Sequence, residues 1–187
     1  MKIGKTLYVA DRRTWRAWLR KHHKTAGEIW LIYYKKGASR PRIPYNDAVE
    51  EALCFGWIDS ILKPINHKKY AQRFSPRRNT SQLSAMNEER VRRLIRQRRM
   101  TRSGLEAIRH RFDSVAKTGR VRIPSDILTA LKLDRTIWYN FSRFPESYKR
   151  IRIGWIDASR HRPTVFRQRL GYFLKMTRLN KRFGMVQ

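Results

Sequence analysis

Short apolar runs alternate with helical patterns in the first part of the chain. Residues 6–10 and 28–35 are apolar runs of strand length, and the second is rich in aromatic residues. Between them, apolar side chains recur at helical spacing over residues 12–22, directly after Asp11, whose side chain suits an N-cap. The pattern therefore predicts two strands with a helix between them.

A second helix and two more strands follow a loop that contains prolines. The spacing predicts a helix over residues 47–55, with Asn46 as its N-cap and Gly56 as its stop. Residues 57–62 and 69–74 have the composition of strands and are joined by a short segment of turn-forming residues. We expect these strands to pair in a mostly antiparallel sheet.

Beyond residue 83 the pattern is predominantly helical. Residues 118–124 combine a glycine, a proline and an extended pattern, and are the best candidate for a domain boundary. We predict an α+β fold, with a small, mostly antiparallel sheet and helices in residues 1–117 and an all-helical module in residues 118–187. The predicted helices cover residues 84–99, 101–112, 134–144, 146–160 and 163–179, with a further helix capped by Ser125.

The chain is strongly basic. It has 44 Lys and Arg against 14 Asp and Glu, which gives a net charge of +30. Arginine is the more frequent of the two basic residues, and its guanidinium binds phosphate in a bidentate manner and stacks on bases. Such an excess predicts a polyanionic partner, RNA or DNA first and an anionic membrane surface second. The alternative is a general basic habit of the source proteome.

Two arginine clusters lie in residues 76–187, which carry 28 basic and 8 acidic side chains. In the first cluster, Arg92, Arg96 and Arg99 share one face by helical spacing. Like charges at this spacing repel, and a phosphate backbone would relieve the repulsion; a solvated helix face is the alternative. Tyr172 and Phe173, beside the second cluster, fit a buried stripe better than a base-stacking platform. The predicted nucleic-acid-binding residues are Arg90, Arg92, Arg93, Arg96, Arg99, Arg102, Arg160, Arg162, Arg167 and Arg169.

A second group of polar side chains shares one sheet face or its rim if the predicted strands pair as expected. Asp59 lies between apolar residues, so we expect it to pair with a base such as Arg73 or Lys63. The group forms an anion or small-ligand pocket in one interpretation and a solvated surface in the other. Its members are Lys35, Lys36, Asp59, Tyr70, Gln72, Arg73 and Arg77.

The residues give little support to an enzyme. The single cysteine, Cys54, excludes an internal disulfide and is interpreted as a core residue, with a nucleophile as the alternative. The histidines are scattered, and no phosphate-binding or dinucleotide-binding motif occurs. We predict no cofactor, no metal and no catalytic residues, and the alternative is an enzyme that uses the neighbourhood of Asp59 and Arg73. Without an apolar run of signal-peptide or membrane-span length, we expect a cytoplasmic chain.

Two runs of residues carry a family resemblance. They are Ala-Leu-Cys-Phe-Gly-Trp-Ile-Asp-Ser at residues 52–60 and Tyr-Ala-Gln-Arg-Phe-Ser-Pro-Arg at residues 70–77. With these runs, and with Ile123-Pro124 further along, the chain resembles the YdeI/OmpD-associated family of bacteriocin-protection proteins. The resemblance implies an α+β domain followed by a helical domain, and a role in resistance to bacteriocins or cationic antimicrobial peptides. It brings no established catalytic residues.

Charge and resemblance together predict a non-enzymatic protein that binds polyanions. The expected contacts join arginine side chains to the phosphates of RNA or DNA, with little readout of base sequence. The alternative is a stress or antimicrobial-peptide resistance protein that acts at the envelope through anionic lipid or a membrane-protein partner.

Overall fold

The computed structural model describes residues 2–35, 37, 40–78, 82–111 and 121–184. The chain divides into two compact units. The first draws on residues 1–82 and 90–116, and the second on residues 83–89 and 117–187. Residues 118–120 of the predicted boundary segment, and Phe112 at the end of a predicted helix, lie outside the described residues.

A four-stranded sheet forms the centre of the first unit. Its strand order is β1-β2-β4-β3; β1 runs parallel to β2, and the other two pairings are antiparallel. The predicted mostly antiparallel sheet is therefore confirmed. The strands are β1 Thr6–Tyr8, β2 Ile29–Tyr34, β3 Trp57–Pro64 and β4 Lys69–Pro76.

Within the described residues, four α-helices and a 3-10 turn accompany the sheet. Asp11 caps the first helix as predicted, because its Oδ1 accepts a hydrogen bond from the Thr14 backbone N–H at 2.8 Å. The prediction of Asn46 as the cap of the second helix is wrong: Pro44 occupies that position and Asn46 lies inside the helix. The elements are α1 Arg12–His22, α2 Tyr45–Cys54, α3 Ala85–Arg96, α4 Arg102–Ala107 and the 3-10 turn Arg109–Arg111.

Helix α3 ends earlier than residue 99, where the sequence pattern placed its end. Arg98 adopts a left-handed backbone conformation with φ 54°, and the Arg99 N–H returns to the Leu94 carbonyl at 2.9 Å. This arrangement is a helix C-terminal motif that satisfies a carbonyl of the last turn. Arg99 therefore lies beyond the end of α3, and its side chain is not part of the helical face that carries Arg92 and Arg96.

The core of the first unit joins α1 and α2 to one face of the sheet. Trp15 of α1 is fully buried, lies edge-on to Phe74 of β4 with ring centroids 5.5 Å apart, and donates from its indole N–H to the Ala48 carbonyl at 3.0 Å. Side chains of directly paired residues point to the same sheet face. The pairs Ile29–Phe74 and Asp59–Phe74 therefore place Asp59 on the face that Trp15 covers.

The second unit is helical in all of its described elements. Ile127, Phe141, Tyr148 and Phe173 lie in its buried core. Asp134 caps its second helix by accepting from the backbone N–H groups of the next turn, whereas the predicted cap Ser125 is the first helical residue behind Pro124. The helices are α5 Ser125–Lys132, α6 Arg135–Arg143, α7 Glu146–Asp157 and α8 Pro163–Arg178. The predicted α+β class is confirmed.

None of the described helices has both the length and the apolar character that crossing a bilayer requires.

Candidate functional site

Two adjacent carboxylates of α2 lie inside the first unit. Glu51 has no solvent-exposed surface, and Glu50 is nearly as buried. Arg16 donates to Glu51 Oε2 at 2.6 Å. Arg12 donates to Glu50 Oε2 at 2.8 Å and to Asp47 Oδ1 at 3.0 Å. Because an unpaired buried charge is strongly unfavourable, both glutamates depend on these guanidinium groups.

Two arginines from the predicted nucleic-acid-binding set belong to the same network. Arg93 donates through Nη2 to Glu50, and Arg99 donates through Nη2 to Glu51. Each side chain is about one-third exposed, so both lie at the edge of the network. Their charges are balanced by carboxylates of the protein, and the first role of these two side chains is to hold α2 in place.

The remaining members of the first arginine cluster divide between interior and surface. Arg90 and Arg92 are buried, and Arg90 donates to Asn46 Oδ1 at 2.7 Å. Arg96 and Arg102 are exposed, although Arg102 pairs with a glutamate one turn further along α4. The six arginines thus do not form one exposed face. The signal that the sequence offered is the Glu50-Glu51 pair within the apolar run of α2, because buried carboxylates require cationic partners.

The second predicted cluster also divides. Arg160 donates to Asp126 at 2.9 Å and to Asp157 at 2.5 Å, and these carboxylates raise the pKa of its guanidinium. Arg169 donates to the Trp155 carbonyl at 2.5 Å and lies over the Trp155 ring. Arg162 and Arg167 are exposed and have no ion-pair partner among the described residues.

One face of α8 carries three exposed cations. Arg167, Lys175 and Arg178 follow one another at i, i+8 and i+11, a spacing that aligns them on one side of a helix, and all three are exposed. We call these three residues the α8 basic face. Arg178 lies 3.3 Å from an Asp134 carboxylate oxygen, and the other two have no ion-pair partner among the described residues. After Asp157 the sequence has eight Lys and Arg residues and no Asp or Glu.

Gly171 lies four residues after Arg167, on the same side of the helix as the α8 basic face. It is exposed, and a Cβ atom there would meet no other atom within 4 Å. A helical glycine costs about 1 kcal/mol relative to alanine, and packing does not require one at this position. The helix surface between Arg167 and Lys175 therefore carries no side chain at position 171.

The predicted ligand-pocket residues of β3 and β4 do not all come together. Tyr70 and Gln72 pair with Tyr33 and Leu31 of β2, which puts them on the same sheet face as Asp59. Arg73 is one residue further on and therefore points to the opposite face. There it donates to Glu28 Oε2 at 2.6 Å.

Asp59 has a different partner from the expected Arg73. It accepts a hydrogen bond from the Tyr45 hydroxyl at 2.7 Å. Burial, followed by this hydrogen bond to Asp59, raises the pKa of Tyr45. The expected Asp59–Arg73 ion pair is thus wrong, and a site built on these two side chains does not form on either sheet face.

Of the other predicted pocket residues, Lys35 lies exposed directly after β2, and Lys36 is outside the described residues. Arg77 is buried and donates to the Gln82 carbonyl at 3.0 Å. Burial lowers the pKa of its guanidinium.

A tyrosine group that the sequence pattern did not indicate lies beside Asp59. Tyr33 and Tyr70 stack with ring centroids 5.3 Å apart, and Arg42 donates to the Tyr70 hydroxyl at 3.1 Å. Tyr33 is almost fully buried, and its hydroxyl has no hydrogen-bond partner among the described residues. Burial first, and then Tyr70, raise its pKa, so it stays a neutral donor.

Cys54 is fully buried at the end of α2. Burial, and then the neighbouring Glu51, raise the pKa of its thiol, which disfavours the thiolate that a nucleophile needs. This environment agrees with the interpretation of Cys54 as a core residue. Within the described parts of the chain, no cluster of three or more His, Cys, Asp or Glu could hold a metal ion.

A cleft of about 430 Å³ lies within the second unit. Its lining includes Glu88 and Asp157 on the acidic side and Arg122 and Arg150 on the basic side, with Ile153 at an apolar position. The charges of the two kinds balance in number, so this cleft has no strong preference for an anion.

Comparison with known families gives one match in the N-terminal part of the chain and another in the C-terminal part. Residues 7–107, more than half of its 187 residues, match the family described as Domain of unknown function (DUF8412). Residues 120–180 match the family described as Bacteriocin-protection, YdeI or OmpD-Associated. The chain belongs to the DUF8412 family. No curated protein and no solved structure matches it.

The predicted family resemblance is confirmed by the bacteriocin-protection match, while the N-terminal motifs that suggested it fall within the DUF8412 region. In these terms the DUF8412 region contains the buried glutamates and the tyrosine group. The bacteriocin-protection region contains the α8 basic face. The arginine network that stabilises the fold thus lies in the DUF8412 region, and the basic face that is exposed to solvent lies in the bacteriocin-protection region.

Proposed function

We propose that this DUF8412 protein binds the phosphate backbone of a nucleic acid through the α8 basic face. The observation that supports the proposal is the run of exposed cations at Arg167, Lys175 and Arg178, in a segment without any acidic residue after Asp157. Carboxylates of the chain pair with several of its other arginines, whereas Arg167 and Lys175 on this face have no ion-pair partner among the described residues. The activity is binding, and it needs no catalytic group.

The chemistry of the face suits a phosphate chain. Guanidinium groups form bidentate hydrogen bonds with phosphate oxygens, and a lysine adds a mobile point charge. Cations in the last turn of a helix also interact favourably with the helix dipole, and Lys175 and Arg178 occupy that turn of α8. Contacts of this kind fix the position of a nucleic acid but do not read its sequence.

Gly171 supports close contact between the helix and an extended ligand. Without a side chain at this position, a backbone that crosses α8 can approach the helix between Arg167 and Lys175. A protein surface selected for solubility alone gains nothing from an exposed helical glycine, which destabilises the helix. The glycine is therefore explained by ligand access.

The family description names bacteriocin protection and no ligand. We infer that polyanion binding is how this chain contributes to such protection, inside the cell and on a nucleic acid. An anionic lipid surface at the envelope presents the same phosphate chemistry, and the two ligands are separated by experiment. The comparison uses labelled RNA and DNA against liposomes with and without anionic lipid.

Binding of labelled oligonucleotides measured over a salt series from about 50 to 200 mM tests the proposal. We expect a dissociation constant near 1 μM or tighter at about 150 mM salt and a steep linear loss of log affinity with log salt concentration. Absence of binding at physiological salt, or an affinity that does not depend on salt, would overturn it. Preferential binding to anionic liposomes at equal ionic strength would contradict nucleic-acid binding and support a function at the envelope.

A further inference from the structure

Three large aromatic side chains of the second unit are exposed. Trp138 and Tyr139 of α6 are 36% and 59% exposed, and Tyr172 of α8 is 47% exposed. The sequence pattern predicts that Tyr172 is buried, and the structure corrects this. Phe173, which was also expected to be buried, does lie in the core. Exposed apolar surface that is rimmed by polar residues is a feature of binding sites.

Cations accompany the two rings of α6. Arg135, Tyr139 and Arg143 stand at i, i+4 and i+8, which aligns them on one side of the helix, and all three are exposed. The Arg143 guanidinium lies over the Tyr139 ring, 5.2 Å from its centroid. The Lys132 ammonium lies 5.3 Å from the centroid of Trp138.

Direct contacts join α6 to the C-terminal end of α8. The Asn140 side chain donates to the carbonyls of Thr177 and Arg178, at 3.0 and 3.2 Å. The Arg178 guanidinium approaches Asp134, the cap of α6, at 3.3 Å. The start of α6 therefore lies beside the end of α8, so the aromatic rings and the phosphate-binding cations belong to neighbouring helices of one unit.

We propose that the second unit binds nucleic acid as a single strand, with unpaired bases stacking on Tyr139 and Trp138 while the α8 basic face holds the phosphates. This inference rests on the proposed function, because it specifies the form of the ligand at the same surface. In a duplex the faces of the bases are already stacked on one another and cannot reach a protein ring. A single strand exposes them, and stacking on aromatic side chains beside a basic groove is the usual way in which proteins bind it.

The arrangement predicts selectivity for strand form without selectivity for sequence. Every base has a π-face, so Tyr139 and Trp138 accept any of them. The expected ligand is therefore single-stranded RNA or DNA of any sequence.

The test compares one oligonucleotide with its own duplex at equal salt. Wild-type protein should bind the single strand at least about tenfold more tightly than the duplex. Tyr139→Ala should weaken single-strand binding by about tenfold, leave duplex binding unchanged and leave the salt slope unchanged, because the ring has no charge. Tyr139→Phe keeps the ring and should bind like the wild type. Leu133→Ala removes an exposed apolar side chain near the same helix and serves as the matched control.

The outcomes distinguish this inference from the proposed function. Equal binding of strand and duplex, with no effect of Tyr139→Ala, would overturn the single-strand inference and leave phosphate binding intact. Failure to bind either form would overturn both. Trp138 stacks on Phe141, with ring centroids 5.9 Å apart, so Trp138→Ala carries a risk to folding. Tyr139→Ala avoids this risk and is the decisive variant.

Discussion

Arg99 donates through Nη2 to the carboxylate of Glu51, which has no solvent-exposed surface. This pairing connects the residue that follows α3 to the middle of α2. It also changes the meaning of the +30 net charge, because some of the arginines that contribute to it hold the fold together. The basic residues available to a polyanion are those on the surface, and the α8 basic face is the clearest group of them.

Loss of the Glu51 charge should destabilise the fold strongly. Glu51→Gln leaves the guanidinium groups of Arg12, Arg16 and Arg99 without their shared carboxylate, and breaking a buried ion pair costs about 3–5 kcal/mol. Urea unfolding followed by circular dichroism measures the change. Glu106→Gln is the matched control, because Glu106 pairs with Arg102 at the surface, and a change below about 1 kcal/mol is expected there. Equal effects in the two variants would contradict the network.

Two tyrosine-to-phenylalanine variants should change stability in opposite directions. Tyr33→Phe removes a buried hydroxyl that has no partner among the described residues, and should stabilise the first unit by about 1 kcal/mol. Tyr45→Phe removes the hydrogen bond to Asp59 and should destabilise it by about 1 kcal/mol. The melting temperatures of the two variants, measured by thermal unfolding, test both expectations. A loss of stability in Tyr33→Phe would show that its hydroxyl is satisfied.

Two helical glycines of the second unit provide a matched comparison. Gly171→Ala adds a methyl group in open space and should stabilise α8 by about 1 kcal/mol. Gly154→Ala in α7 would bring the new Cβ to 2.5 Å from the Ala85 Cβ, so it should destabilise the protein despite the better helix propensity. The melting temperatures of the two variants should therefore move apart. A fall in both would contradict the open surface at Gly171.

The Glu28–Arg73 pair should make stability depend on acid pH. The hydrogen bonds from Arg73 and then from Trp30 lower the pKa of Glu28 below its ordinary value of 4.5 in the folded state. The contribution is therefore fully present above pH 4.5 and is lost as the pH falls through the lowered value. Glu28→Gln should be less stable than wild type near neutral pH and should lose less stability on acidification. Parallel stability curves for the two proteins below pH 4.5 would contradict this assignment.

The fold was largely predictable because its elements carry local signals. Asp11 and the apolar spacing after it gave α1, and the aromatic run of residues 28–35 gave β2. The site was less predictable because it depends on strand register and on distant partners. Asp59 and Arg73 looked like an ion pair, but the pairing of Asp59 with Phe74 puts them on opposite sheet faces. This strand register cannot be predicted from the local sequence pattern.

The positions of the arginines were also only partly predictable from the sequence. Helical spacing aligned Arg92, Arg96 and Arg99, but the left-handed conformation at Arg98 ends the alignment before the third residue. The Glu50-Glu51 pair was the available signal, since two carboxylates within an apolar helix imply cationic partners elsewhere in the chain. Which arginines supply them becomes visible only in the folded structure.

The most direct measurement is the salt dependence of single-stranded RNA binding in two neutralised variants. One variant replaces the α8 basic face, Arg167, Lys175 and Arg178, with glutamine. The other replaces three exposed basic residues of the α1 region, Arg13, Arg20 and Lys24, with glutamine, so both proteins lose the same total charge. The account predicts that the log–log salt slope falls by about 2 in the first variant and changes little in the second. Equal losses in both would show that total charge, and not the α8 basic face, determines binding.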